Sequence, residues 1–188
     1  MDRALLFRRF LHCLMALSPL YFLLPTEVPV LGVGRWALLV VFIAAVLLVE
    51  TTRLVMGWDF FGLRPYERNQ IASFVWAAAG VTLALWLFRE DVATAAIIGW
   101  ALVDPLSGEL RRATPRLSVS IGVPVVSYSV IAGVSLYAWD MMSVPIVLAA
   151  SVVGAVVAVV AEMEKIRYVD DDFLMILVPC VVMQLFAL

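Results

Sequence analysis

The chain has 188 residues, of which 64% are hydrophobic and 15% are charged, and its mean hydropathy is +1.04. A soluble domain of this length has too little interior for so much apolar surface, so composition excludes that class and predicts an integral membrane protein. The formal net charge of −2 says little about partners, because the layout of charge matters more than its sum, and no nucleic-acid partner is expected. Cys13 and Cys180 lie in apolar runs and are predicted to be buried free thiols, and a single histidine makes a zinc site unlikely on ligand number alone.

The N-terminal segment predicts a first membrane helix. Three arginines occupy the first nine residues, and an apolar run then extends to Leu24. This charge order resembles that of a signal peptide, but no small-residue cleavage site follows, so we expect the helix to be retained. A second helix is predicted roughly over 36–55 and a third over about 70–88. Between the third helix and a fourth over 92–108, a tight turn is expected at 89–91, with Asp91 as the N-cap.

The C-terminal half predicts three more helices. The fifth occupies part of 117–139, and Gly122 and Pro124 favour a broken start, with a re-entrant piece followed by a span. The sixth covers about 144–163 and is rich in small residues, which allow close helix packing in lipid. The seventh covers 173–188. At about 20 apolar residues per span, seven helices use nearly the whole chain. The predicted fold is an all-α membrane bundle forming one domain over 1–188.

The distribution of basic residues predicts the topology. With seven spans, eleven of the thirteen basic residues lie on the side of the N-terminus. They are Arg3, Arg8, Arg9, Arg53, Arg64, Arg68, Arg111, Arg112, Arg116, Lys165 and Arg167. Only Arg35 and Arg89 lie on the other side. The positive-inside rule therefore predicts a cytoplasmic N-terminus and a C-terminus outside. Many acidic residues share the cytoplasmic side, which suggests a metal and nucleotide site there.

The segment around Asp104 is the strongest candidate for a functional site. Nine uncharged residues, Ala95 to Val103, precede this carboxylate. A charge at the edge of a membrane helix is costly without a partner, a cation or water. Pro105 and Gly108 are expected to loosen the helix and lead into a loop that carries Glu109 and three arginines. The segment is either the wall of an active site or an ordinary helix end with an exposed aspartate.

Two short motifs combine arginine with glutamate. Glu50 and Arg53 share a helix face, where they are either a metal ligand and a phosphate ligand or an ion pair at a helix end. Arg64 and Arg68 flank Glu67 in a loop. They form either a phosphate clamp, which suits arginine geometry, or a solvated patch beside the membrane.

A carboxylate cluster is predicted from two further helix ends. Glu162 closes the sixth helix, and three consecutive aspartates at 170–172 precede the seventh. Oxygen-rich clusters attract Mg²⁺, although an aspartate at a helix start also caps it. Three consecutive aspartates are more than helix capping needs, which favours a metal site.

His12 is expected to be a core residue. Ser129, in the fifth helix, either lines a polar cavity or hydrogen-bonds along its helix.

Taken together, the order of these motifs resembles the CTP-dependent lipid kinases, the family of dolichol kinase, phytol kinase and the yeast-type diacylglycerol kinase. Phosphatidate cytidylyltransferases are distantly similar. The motifs are Arg8-Arg9-Phe10-Leu11-His12, Glu50-x-x-Arg53, Arg64-x-x-Glu67-Arg68, Asp104-Pro105 with Arg112, Ala132-Gly133, Glu162 and Asp170-Asp171-Asp172-Phe173. The family's Lys-Ser or Lys-Thr pair is here Tyr128-Ser129, its Gly before the matched arginine is Arg111, and its Asp-Asp-Asn is three aspartates.

The resemblance implies a kinase that phosphorylates a lipid alcohol, such as a polyprenol or dolichol, with CTP as donor and Mg²⁺ as cofactor. Its implied catalytic residues are Asp104, Asp170 and Asp171. Its implied phosphate ligands are Arg53, Arg64, Arg68, Arg112 and Ser129. Its implied metal ligands are Asp104, Glu50, Glu162, Asp170 and Asp171. The expected partners are the bilayer, the lipid substrate and the nucleotide, and the oligomeric state stays open. The alternatives are a cytidylyltransferase-like enzyme, a non-catalytic relative or a transporter. A transporter is disfavoured because the ionisable residues lie near one surface.

Overall fold

The computed structural model describes residues 3–28, 32–164, 166 and 169–188. In this part of the chain the prediction of an all-α fold is confirmed, with seven α-helices. They are α1 (Arg3–Leu14), α2 (Trp36–Met56), α3 (Ser73–Leu87), α4 (Glu90–Ala113), α5 (Leu117–Ala138), α6 (Val144–Met163) and α7 (Asp171–Phe186). Short 3-10 helices cover Met15–Leu23 and Pro65–Asn69, and a two-residue hairpin pairs β1 (Glu27–Val28) with β2 (Val33–Gly34). Lys165 and Arg167, which the topology prediction used, lie outside the described residues.

Within the described ranges, three helices, α2, α5 and α6, are long enough and apolar enough to cross a membrane. This is fewer than the seven full spans predicted. Helices α3 and α4 do not qualify as full spans, for different reasons. The 15 residues of α3 reach only about 22 Å at 1.5 Å each, short of a hydrocarbon core of about 30 Å. The 24 residues of α4 are long enough, but charged residues occupy both its ends.

Helix α4 forms the centre of the bundle. Its apolar stretch is buried on nearly every side, and the side chains of Ile97 and Trp100 are inaccessible to solvent. It packs against α5, α7, α1 and the 3-10 helix that continues α1. Gly99 sets the distance to α5, because a Cβ atom there would lie 2.6 Å from the ring of Tyr128. A small residue is therefore required at the closest approach of these two helices.

Several predicted boundaries in the middle of the chain are wrong. Helix α4 continues through Pro105 and Gly108 to Ala113, so Glu109 is helical rather than in a loop. Packing against α1, α5 and α7 holds the helix together although proline removes one backbone hydrogen bond. Helix α5 is continuous through Pro124, without a re-entrant break.

The expectations for Asp91 and Cys13 are also corrected. The N-cap of α4 is Arg89, and Asp91 lies in the first turn, where its carboxylate accepts hydrogen bonds of 3.1 and 2.8 Å from the Arg89 guanidinium. This buried pair gives the carboxylate a stronger partner than the backbone N–H groups of a cap. Cys180 is buried as expected, whereas Cys13 is exposed on α1 because that helix lies at the edge of the bundle.

Candidate active site

Acidic side chains from three helices meet at one end of the bundle. Asp104 comes from α4, Glu162 from the last turn of α6, and Asp170, Asp171 and Asp172 from the start of α7. Two groups have ligand atoms within 4.8 Å of one another. One group is Asp170, Asp171 and Asp172, and the other is His12, Asp104 and Asp172. The structure thus brings the predicted Asp104, Asp170 and Asp171 together through Asp172.

The start of α7 holds its aspartates in a fixed arrangement. Asp170 is the N-cap, and its carboxylate accepts a 3.2 Å hydrogen bond from the backbone N–H of Asp172. The capping interpretation therefore holds for Asp170, and the three carboxylates also lie close together. Burial, followed by the negative charge of Asp172, raises the pKa of Asp170 to about 8. A bound cation would act in the opposite direction by favouring the charged carboxylate.

Trp100 and His12 complete the deep part of the cluster. The Trp100 indole Nε1 donates a 3.0 Å hydrogen bond to Asp172, which fixes that carboxylate. The His12 ring packs on Trp100 with 4.1 Å between ring centroids. Its Nε2 atom lies 3.6 Å from Asp104, and its Nδ1 atom lies 4.0 Å from Asp172. The expectation that His12 is an ordinary core residue is wrong, because it lines the cavity described next.

Two adjoining cavities open at this cluster. The inner cavity, of about 320 Å³, is lined by Asp104, His12 and Asp172 and by apolar side chains of α1 and α3. The outer cavity, of about 770 Å³, is lined by both charged and apolar side chains. Its lining includes Tyr66, Gln70, Trp76, Glu164 and Asp170. The two cavities share four charged residues, namely Arg64, Arg111, Glu162 and Asp171. A ligand with a charged group and an apolar group therefore finds a suitable surface on each side of these four.

The arginines around the cavities fall into two sets. Arg64 and Arg111 stand between the cavities, with Arg64 4.0 Å from Asp170 and Arg111 paired with Glu162. Arg112 lines the inner cavity, as do Arg8 and Arg9, which the sequence did not single out as ligands. Three of these five positions, Arg64, Arg111 and Arg112, lie in segments that the sequence already marks as basic. Arg8 and Arg9 belong to α1, and only the packing of α1 on α4 places them there.

Arg68, another predicted phosphate ligand, is exposed and pairs with Asp59 at 2.6 Å. It is not among the described residues that line the two cavities. Glu67, its neighbour, is buried and accepts hydrogen bonds from the backbone N–H groups of Arg64 and Ser73. The Arg64 motif therefore has one side chain that faces the site and one acid that holds its backbone in place.

Glu50 and Arg53 form a closed structural unit instead of a metal and phosphate site. The guanidinium of Arg53 makes two 2.7 Å hydrogen bonds to Glu50 and donates to the backbone carbonyls of Arg68 and Gln70. Glu50 also accepts a bond from the Ala72 N–H. These bonds use the polar groups of both side chains, and neither residue lines the described cavities. The alternative of an ion pair near a helix end fits this geometry.

Ser129 also lies apart from the cluster. Its hydroxyl donates a 2.8 Å hydrogen bond to the carbonyl of Val125 one turn earlier in α5. Its neighbour Tyr128 is completely buried against Gly99 and donates to the carbonyl of Ala96. The Tyr128-Ser129 pair therefore serves helix packing in this chain. Among the described cavity-lining residues, none comes from this pair.

Comparisons with known protein families, with curated proteins and with solved structures find no match for this chain. The site combines clustered carboxylates, which bind divalent cations, with arginines, which bind phosphate oxygens. Leu5, Leu11 and Phe74 in the inner cavity add an apolar surface for a hydrocarbon group.

Proposed function

We propose that this chain is a membrane-embedded CTP-dependent kinase that phosphorylates a polyprenol-like lipid alcohol. The observation that carries the proposal is the pair of adjoining cavities, each lined by charged and apolar side chains, that share two arginines and two acids. Such an arrangement suits an enzyme that brings a charged nucleotide and an apolar alcohol to one point. The choice of CTP and of a polyprenol follows from the family resemblance.

The outer cavity is the proposed nucleotide site. Arg64 and Arg111 would hold phosphate oxygens, because planar guanidinium groups match their geometry. Asp170, Asp171 and Asp172 fit the requirements of Mg²⁺, since their oxygens converge within 4.8 Å at the cavity wall. When bound, Mg²⁺ neutralises the charge that develops on the transferred phosphoryl group. Glu162 is paired with Arg111. It would therefore be free to bind the metal ion only after Arg111 moves to the phosphates.

The inner cavity is the proposed site of the lipid hydroxyl. In the proposed step, the alcohol oxygen forms a bond to the γ-phosphorus while the bond to the β,γ-bridging oxygen breaks, and CDP leaves. The hydroxyl proton passes to Asp104, whose carboxylate lines this cavity. A third, smaller cavity of about 230 Å³ lies between α5 and α6 and is mostly apolar. It also touches Arg111 and Glu162, so it offers the hydrocarbon chain a lateral path from the bilayer.

We further propose that the site faces the cytoplasm, with the N-terminus inside and the C-terminus outside after seven passes through the membrane. The support is the charge distribution in the bundle. The end that carries the cavities presents Arg8, Arg9, Arg64, Arg111 and Arg112. The opposite end presents Arg35 and Arg89, which pair with Glu90 and Asp91. Most of these arginines therefore lie at the cavity end, and the positive-inside rule counts arginine and lysine whether or not they pair with acids.

A second candidate function is that of a relative that no longer catalyses phosphoryl transfer. It is favoured by one observation, the replacement of the family's helix-five lysine by Tyr128, which the structure packs into the helix interface. In the kinase proposal, Arg64 and Arg111 supply the missing positive charge. A cytidylyltransferase-like enzyme would use the same cavities but would transfer the cytidylyl group and release pyrophosphate.

Position-specific labelling of CTP separates these functions. Purified full-length protein in micelles is incubated with Mg²⁺, a polyprenol and CTP labelled at either the α- or the γ-phosphate, and the lipid is extracted. The kinase proposal expects label in the lipid from γ-labelled CTP only. Label from α-labelled CTP supplied with phosphatidate would instead establish a cytidylyltransferase. No transfer from either, in protein that still binds CTP, would support the non-catalytic relative.

A further inference from the structure

The deep group of His12, Asp104 and Asp172 has the composition of a metal site that differs from the aspartate triplet. Each of the three residues offers one ligand atom, and these atoms lie within 4.8 Å of one another. The 3.6 Å between His12 Nε2 and Asp104 Oδ2 is a normal spacing for two ligands that share one ion at about 2.1 Å. The three ligands come from α1, α4 and α7, so this group forms only in the folded bundle.

The His12 ring is held in place, but its Nε2 atom makes no hydrogen bond to the described residues. That atom is buried and has no hydrogen-bond partner among the described residues. A tilted ring contact with Trp100 holds the His12 ring, and the Trp100 N–H holds Asp172 beside it. A buried polar atom that lacks a partner is costly unless something binds there. Outer contacts that orient a histidine and a carboxylate are typical of metal centres.

We propose that His12, Asp104 and Asp172 form a second cation site, which binds a first-row transition ion such as Mn²⁺. An imidazole nitrogen favours such ions, whereas the three aspartates alone favour Mg²⁺. Asp172 belongs to both groups and would bridge the two ions. This inference concerns metal binding alone and is tested without lipid or nucleotide. In the proposed kinase step, one carboxylate oxygen of Asp104 would bind the ion and the other would accept the hydroxyl proton.

The experiment uses the fact that the chain contains a single histidine. The full-length protein is purified, any affinity tag is removed, and Mn²⁺ is added in the absence of nucleotide. Pulsed electron paramagnetic resonance then detects whether a histidine nitrogen is coupled to the bound ion. Any such coupling must come from His12. We expect the coupling in wild type and in Asp170→Asn, which alters only the aspartate triplet, and its loss in His12→Gln.

Binding stoichiometry gives a second measurement. Wild type is expected to bind two Mn²⁺ ions per chain, and His12→Gln and Asp170→Asn are each expected to bind fewer. Bound Mn²⁺ without histidine nitrogen coupling in wild type would overturn the proposal and leave His12 as a neighbour of Asp104 only. Because that result comes from the unaltered protein, it does not depend on whether the variants fold.

Discussion

Replacing Asp104 with asparagine tests the central residue of the proposed site. The change keeps the shape of the side chain and removes its charge. Asp104 lines the inner cavity together with Glu162 and Asp171, and its side chain is 29% exposed there. If it accepts the hydroxyl proton, loss of that function costs roughly 10²- to 10⁴-fold in turnover. A loss of 10²-fold corresponds to about 2.7 kcal/mol in the barrier.

The fold should tolerate Asp104→Asn. The carboxylate has like charges as neighbours, so its removal relieves repulsion, and thermal stability should stay constant or rise slightly. Glu109→Gln is the matched control, because Glu109 lies in the next turns of the same helix and is exposed, with Arg9 and Arg112 as partners. Exposed pairs contribute at most about 1 kcal/mol, so the control should keep activity within a few fold.

The assay is CTP-dependent phosphorylation of a polyprenol by both variants and wild type, with melting temperature measured on the same samples. A large loss of turnover at unchanged stability supports a direct role for Asp104. Full turnover by Asp104→Asn would show that Asp104 is only a polar residue in a helix, and the assignment of the proton acceptor would be refuted. Equal losses in both variants would point to a general effect on the end of α4.

Three further predictions concern the topology, the packing and the pH dependence of the protein. Reporter fusions should give cytoplasmic signals after Arg68 and Arg116 and an outside signal after Leu188, and a cytoplasmic signal at Leu188 would exclude an odd number of spans. Gly99→Ala should lower the melting temperature by an amount equivalent to about 1–3 kcal/mol, because its Cβ would overlap the Tyr128 ring, whereas Gly108→Ala, with no atom within 4 Å of its Cβ, should be neutral or stabilising. Stability measured without divalent cations should fall as pH rises from 4 to 8, because the folded state holds a proton on Asp170, with its raised pKa of about 8, after the unfolded state has lost it. Asp170→Asn should flatten this dependence, and an unchanged slope in that variant would show that other groups cause it.

The sequence predicts best where local signals and packing agree. Helix α6 begins at Val144 and ends at Met163 as predicted, because an apolar run lies between a Ser-Val-Pro start and a charged loop. Helix α2 begins at Trp36 as predicted and ends one residue later than expected, at a left-handed Gly57. Proline and glycine in the last part of α4 signalled an end that the surrounding helices override. Proline and glycine therefore failed to predict a helix end where tertiary contacts support the backbone.

Prediction of the site depended on whether a residue type carries a local signal. Three consecutive aspartates are conspicuous, and they do lie at the cavities. A lone histidine in an apolar helix has no such signal, and only the packing of α1 on α4 shows that His12 faces Asp104. Glu50 and Arg53 have the spacing of a functional pair, but the same spacing serves a buried ion pair that fastens α2 to the segment before α3.

The contact between Gly99 and Tyr128 makes these two positions interdependent. A ring as large as tyrosine fits at 128 only because the facing helix offers bare backbone at 99. Placing the family's lysine at 128 would remove the ring that fills this interface and would bury an ammonium group beside apolar helices without a counter-ion. A lysine at 128 is therefore accommodated only by changing both helices together.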